Sequence, residues 1–143
     1  MNDTLAGASP VDQPVRARRV TKGEREQVRL RFGGLCAYCG KPLGDRWHAD
    51  HFEPVRREWW KAGGGMERPQ NDTLANLMPA CAPCNLDKHA MTLEDWRRKL
   101  QGAPGVLERN HATYRHAVRF GLLQETGAVV VFHFERPNRS FDA

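Results

Sequence analysis

Four cysteines stand in two Cys-x-x-Cys pairs, Cys36 with Cys39 and Cys81 with Cys84. Together they supply four soft thiolates, the donor set that tetrahedral Zn²⁺ prefers in a closed structural site. One ion would then clip both ends of a roughly 40-residue excursion whose closure is otherwise entropically costly. Two matched pairs bracketing one segment favour metal over a redox role or four unligated thiols. A zinc ion closed by four cysteines has no open position for substrate, so any chemistry falls to other residues.

Those residues lie inside and just after the bracketed stretch. Asp50 offers a hard carboxylate oxygen, Asn85 an amide oxygen, and His89 an imidazole at the i, i+4 spacing of one helix face. If the staple draws the helix after Cys84 onto a strand ending at Asp50, the three can converge on one divalent cation. Two oxygens and a nitrogen leave room for waters and a phosphate, which suits Mg²⁺ or Mn²⁺ and also accommodates Ni²⁺ or Zn²⁺. His51 can then deprotonate a water near neutral pH. Taken singly, each residue has a bland reading: a solvated Asp-His pair, a capping Asn, a surface His.

Taken together, Cys36-x-x-Cys39, Asp50-His51, Asn76-Leu77, Cys81-x-x-Cys84-Asn85 and Lys88 resemble the HNH endonuclease superfamily, particularly its small zinc-stapled phage and bacterial members. The resemblance is close over residues 35–90 and looser over 92–120. It implies an α+β protein with a ββα-metal (His-Me finger) core, a structural zinc site and flanking helices. It also implies metal-dependent hydrolysis of DNA phosphodiester bonds, nicking or cutting duplex DNA to leave 5′-phosphate and 3′-hydroxyl ends. Carried over by position, His51 matches the general base and Asp50 the preceding metal ligand. Asn76 matches the middle asparagine that tethers the loop and orients the histidine. Asn85 matches the third motif position, giving a His-Asn-Asn form. His89 is either a further ligand of the catalytic ion or an outer histidine. A phage packaging nuclease, a restriction component and a mobile-element enzyme would share this pattern, so partner proteins of those settings are open. Two other readings remain: a non-catalytic zinc-stapled DNA-binding module, and a nuclease acting mainly on RNA or structured DNA.

The net charge of +5 and pI near 9.3 favour a polyanionic partner. Arg56 and Arg57 just beyond His51, and Lys88 beside the proposed ligands, are the candidate DNA contacts. Trp59 and Trp60 either insert a ring into a groove or cover the loop's own core. No apolar run reaches membrane-spanning length, and no signal-peptide core is visible near the N-terminus, so the expectation is cytoplasmic.

These residues require particular elements to position them. A mobile basic arm is expected over 1–20, with Arg16, Arg18 and Arg19 near its end, then a single domain over 21–136, then a flexible tail over 137–143. Thr21 and Glu24 form a capping box that opens a helix to about Phe32, with Val28 and Phe32 on one face and Gly33-Gly34 ending it. A strand ends at Asp50-His51, a long loop covers 56–72, and a second strand over Thr73–Met78 is interrupted by Pro79. Pro83 begins a helix that carries Cys84, Asn85, Lys88 and His89. Thr92 and Asp95 open a helix to about Leu100 with Leu93, Trp96 and Leu100 as its apolar stripe. After a break at Gly102–Gly105, a helix over Leu107–Phe120 turns Tyr114, Ala117, Val118 and Phe120 inward. Residues 122–134 read as a C-terminal β-hairpin turning at Glu125–Gly127.

Overall fold

A computed structural model describes residues 17–137. The arm expected over 1–20 and the tail expected over 137–143 lie almost wholly outside the described residues. The described end of the arm is tied down: the Arg18 backbone N–H donates to Asp72 at 2.5 Å, and its guanidinium pairs with Glu24 at 2.6 Å.

The elements are α1 (Lys22–Leu30), β1 (Trp47–His51), β2 (Leu77–Cys81), α2 (Ala82–Lys88), α3 (Leu93–Gln101), α4 (Ala103–Asn110) and α5 (Ala112–Arg119). α1 opens with both halves of the capping box, Thr21 accepting from the Glu24 N–H and Glu24 from the Thr21 N–H. It buries Val28, and Phe32 follows into the core.

β1 and β2 pair antiparallel, with Trp47 opposite Cys81 and His51 opposite Leu77. The second strand therefore starts four residues later than the sequence suggests, after a 3₁₀ turn over Leu74–Asn76. Pro79 sits inside it, opposite Ala49. In a two-stranded sheet every strand is an edge, so the missing proline N–H breaks no ladder; its carbonyl accepts instead from the Ala37 N–H at 2.8 Å. The sheet lies between two helices, which decides where adjacent side chains go. Trp47 faces α1, its ring under the Arg25 guanidinium at 4.0 Å, whereas Asp50 meets Lys88 of α2.

The core is closed by rings far apart in sequence. Trp96 of α3 stacks on Phe132 at 5.0 Å, and Tyr38 meets Trp96 edge-on at 5.1 Å. Phe134 stacks on Phe132 and meets Phe52 edge-on. Leu93 and Trp96 are buried and Leu100 packs against them, as their spacing predicts.

The C-terminal half departs from expectation, beginning with the break expected at Gly102–Gly105, which α4 runs through. The single helix over 107–120 is two helices, because His111 is extended (φ −126°, ψ 105°). Arg115 supports the break by donating to the Glu108 and Arg109 carbonyls at the end of α4. α5 leaves Val118 and Phe120 exposed rather than inward.

No β-hairpin forms over 122–134. The peptide groups a partner strand would take are used by side chains of α3. Gln101 donates to the Ala128 carbonyl and accepts from the Val130 N–H, both at 2.8 Å, and Arg97 donates to the Val130 carbonyl at 2.7 Å. The chain then docks on the first cysteine pair, with His133 N–H on the Tyr38 carbonyl and Phe134 N–H on the Ala37 carbonyl, both at 2.9 Å. His133 passes so close to Gly40 (φ 75°) that a Cβ there would lie 2.8 Å from its Nδ1.

Candidate metal centre and active site

The two cysteine pairs converge. The first sits in a tight turn, with Cys36 N–H on the Lys41 carbonyl and Gly40 N–H on the Cys36 carbonyl. The second straddles the end of β2 and the first turn of α2. The four Sγ atoms lie within 4.8 Å of one another, and those of Cys39 and Cys81 are 3.8 Å apart. A tetrahedron with Zn–S bonds of about 2.3 Å has edges of about 3.8 Å, so the cluster fits that ion. The Cys81 backbone N–H donates to Cys36 Sγ at 3.4 Å. A hydrogen bond from Cys84 pulls the Cys36 thiol down to about 4, with the Cys81 N–H helping, while Cys84 is pushed up. A dication held by the four sulfurs would displace the protons that remain on them.

Asp50 points into the protein. Its Oδ2 accepts from the Tyr38 hydroxyl at 2.6 Å and pairs with Lys88 Nζ at 3.0 Å, while Lys88 Nζ also donates to the His51 carbonyl at 2.9 Å. Burial pushes the Tyr38 phenol up, and the Asp50 charge adds to it, so Tyr38 stays protonated and donates. Lys88 is 0% exposed. The expectation that it contacts DNA is therefore corrected: its ammonium is consumed in holding β1 to α2. Nothing in the local motif marks a partner for Lys88, because that partner, Asp50, lies 38 residues earlier in the chain.

His51 turns away from this triad. Its Nε2 lies 2.9 Å from Asp72 Oδ1, and both side chains are largely buried. Burial alone would raise the Asp72 carboxyl, but the Arg18 N–H, the His51 ring and the charge of Arg57 outweigh it and hold the group below its ordinary value. Asp72 is a functional candidate that sequence reasoning misses. It sits in a polar loop with no local pattern to mark it.

Asn76 ties down the loop that leaves β1. Its Oδ1 accepts from the Glu53 N–H at 2.9 Å, and its Nδ2 donates to the Glu53 and Asn71 carbonyls at 2.8 and 2.7 Å. Its backbone carbonyl takes the Phe52 N–H at 2.8 Å.

α2 carries Asn85 but ends at Lys88. His89 is its C-cap, exposed, at φ 49° and ψ −130°, so it does not continue the helix face that Asn85 occupies. Its N–H still reaches the Asn85 carbonyl at 3.0 Å. Among the described residues, the side chains of Asn85 and His89 and the Oδ1 of Asp50 make no protein hydrogen bond, so a hard cation would not have to displace one. Arg56 and Arg57 are exposed beyond His51; Arg56 lies 3.8 Å from Glu67, and Arg57 makes no salt bridge among the described residues.

No helix among the described residues is long and apolar enough to cross a membrane. Comparisons with curated proteins and with solved structures return no match. The family comparison does, and it covers the stretch just described: residues 36–91, which hold the cysteine cluster, the two-stranded sheet and α2, match the HNH endonuclease model.

Proposed function

We propose that this chain is a divalent-metal-dependent endonuclease that hydrolyses DNA phosphodiester bonds, with His51 as general base. The observation that carries the reading is the His51–Asp72 contact at 2.9 Å. An ionised carboxylate accepts only, so Nε2 carries the proton and Nδ1 keeps a lone pair for a water. Among the described residues no protein group takes that Nδ1. Asn76 fixes the backbone two residues after the histidine, which limits where the ring can go.

Asp50 and Asn85 would hold Mg²⁺ or Mn²⁺, which when bound would polarise a non-bridging phosphate oxygen and stabilise charge on the leaving 3′-oxygen, while His89, turned off the Asn85 face at the end of α2, takes the outer position. Lys88 covers one Asp50 oxygen and leaves the other for such a role. Arg56 and Arg57, on the loop beyond His51, would position the phosphate backbone. Zinc at the cysteines supplies structure and takes no part in the chemistry.

The Asp50–Lys88 ion pair also suits a second reading, in which the HNH fold serves as a zinc-stapled DNA-binding module and Asp50 is purely structural. Plasmid cleavage with and without Mg²⁺ or Mn²⁺ separates the two. The nuclease reading expects metal-dependent cleavage that falls about 10²–10⁴-fold in His51→Ala, with zinc content and folding unchanged. Binding of plasmid without cleavage by the unaltered protein under any divalent ion would overturn it.

A further inference from the structure

The loop after His51 is an ordered finger. Arg57 faces Met66 in an isolated antiparallel bridge, bracketed by Glu58 N–H on the Gly65 carbonyl at 2.9 Å and Glu67 N–H on the Arg56 carbonyl at 3.0 Å. Its base is anchored twice more, by Arg68 N–H on the Val55 carbonyl and by Asn71 Nδ2 on the Pro54 carbonyl. The turn at its tip is closed by Lys61 N–H on the Glu58 carbonyl and Gly64 N–H on the Lys61 carbonyl, and the Glu58 and Lys61 side chains pair at 2.7 Å. A Cβ at Gly65 would lie 2.7 Å from the Glu58 carboxylate, so a larger residue there would push that side chain aside.

The root of the finger buries Val55 and Met66, and its tip buries nothing. Trp59 is 84% and Trp60 58% exposed, although the same chain buries Trp47 and Trp96. The two tip rings meet edge-on, with centroids 5.9 Å apart and planes at 85°, which leaves flat indole faces open. Arg57, exposed, stands on the limb leading to them, and Asp72, at the foot of the returning limb, lies 2.9 Å from His51. The two residues from Arg57 to Trp59 span at most about 7 Å, so a phosphate held by Arg57 lies within about two nucleotide steps of the tip.

We infer that this finger is a stacking wedge, whose Trp59–Trp60 tip takes an unpaired base of the bound strand, so that the preferred substrate is DNA with locally unstacked bases. The inference rests on the nuclease reading above and names its substrate feature. In an intact duplex each base face is covered by its neighbours and the grooves show only edges, whereas an indole face gains most from a base face. The cationic strand beside an open aromatic tip is the combination that tracks a phosphate backbone while stacking its bases.

The test is binding by the full chain carrying His51→Ala, with Ca²⁺ present, to a fluorescent 30-base-pair duplex of about three helical turns and to the same duplex with a central bubble of two mismatches. Anisotropy should show the bubble bound about tenfold tighter. Adding Trp59→Ala and Trp60→Ala should bring that ratio to about one, and Trp59→Phe with Trp60→Phe should restore part of it. Zinc content and thermal midpoint serve as controls of folding. Equal affinity for the two DNAs in the parent, or a ratio unmoved by the alanine pair, overturns the wedge while leaving the nuclease reading intact. Failure of the protein with His51 intact to bind or cut any DNA overturns both.

Discussion

His51 and Asp72, 21 residues apart in the chain, meet through Nε2 and Oδ1 at 2.9 Å, and the second Asp72 oxygen is held by the Arg18 N–H. The histidine is thereby fixed in one tautomer and one orientation. Replacing Asp72 by Asn should lower kcat by about 10–100-fold while leaving the DNA Kd nearly unchanged. Asp72→Glu should recover part of the rate. A fall in binding equal to the fall in rate would show that Asp72 supports the loop and not the base.

Zinc at the cysteines should be present at one ion per chain, measured by metal analysis after gel filtration. Cys36→Ser should release it and unfold the domain, because a four-coordinate structural site contributes its binding free energy to folding. A variant that keeps both its zinc and its thermal midpoint would contradict this.

Lys88→Met should destabilise the protein by about 3–5 kcal/mol in urea denaturation, since it strands the buried Asp50 carboxylate without its cation. Adding Asp50→Asn should return part of the loss. If Lys88→Met leaves the urea midpoint in place and weakens only DNA binding, the side chain reaches the phosphate after all.

Glu135 links the C-terminal segment to α3 through Arg97. The Arg97 hydrogen bond holds its carboxyl below the ordinary value of 4.5, with the Phe132 N–H adding to it. A lowered folded-state value means that the contact contributes fully above pH 4.5 and is lost as pH falls through the lowered value. Acidification should therefore loosen the Trp96–Phe132 stack, read as a change in near-ultraviolet circular dichroism. Glu135→Gln should show the loosened signal at neutral pH and lose that step of the titration, with zinc monitored in parallel.

Much of the site's outline is legible in the amino-acid sequence. Cysteine spacing predicts the convergence of the four thiols, and Thr21 with Glu24 marks the start of α1 to within a residue. These are local patterns with one physical solution. What the sequence hides depends on partners distant along the chain. Lys88 reads as a phosphate contact until Asp50 and the His51 carbonyl are brought to it. Asp72 reads as a loop residue until the fold brings it to His51 Nε2. The strand-like Val129–Phe132 run has the composition of a hairpin arm, but Gln101 and Arg97 reach its peptide groups first. His89 has helical spacing from Asn85, yet its backbone leaves the helix at that residue.

The docking of Phe132 and Phe134 over the first cysteine pair sets an order of events during synthesis. All four thiols have emerged once Cys84 has, but the ring that covers Trp96 comes 48 residues later. At about 5–20 residues per second, that interval lasts about 2–10 s. For those seconds the nascent chain can capture its metal while Tyr38 and Trp96 remain uncovered. The ion would be in place before the aromatic lid closes.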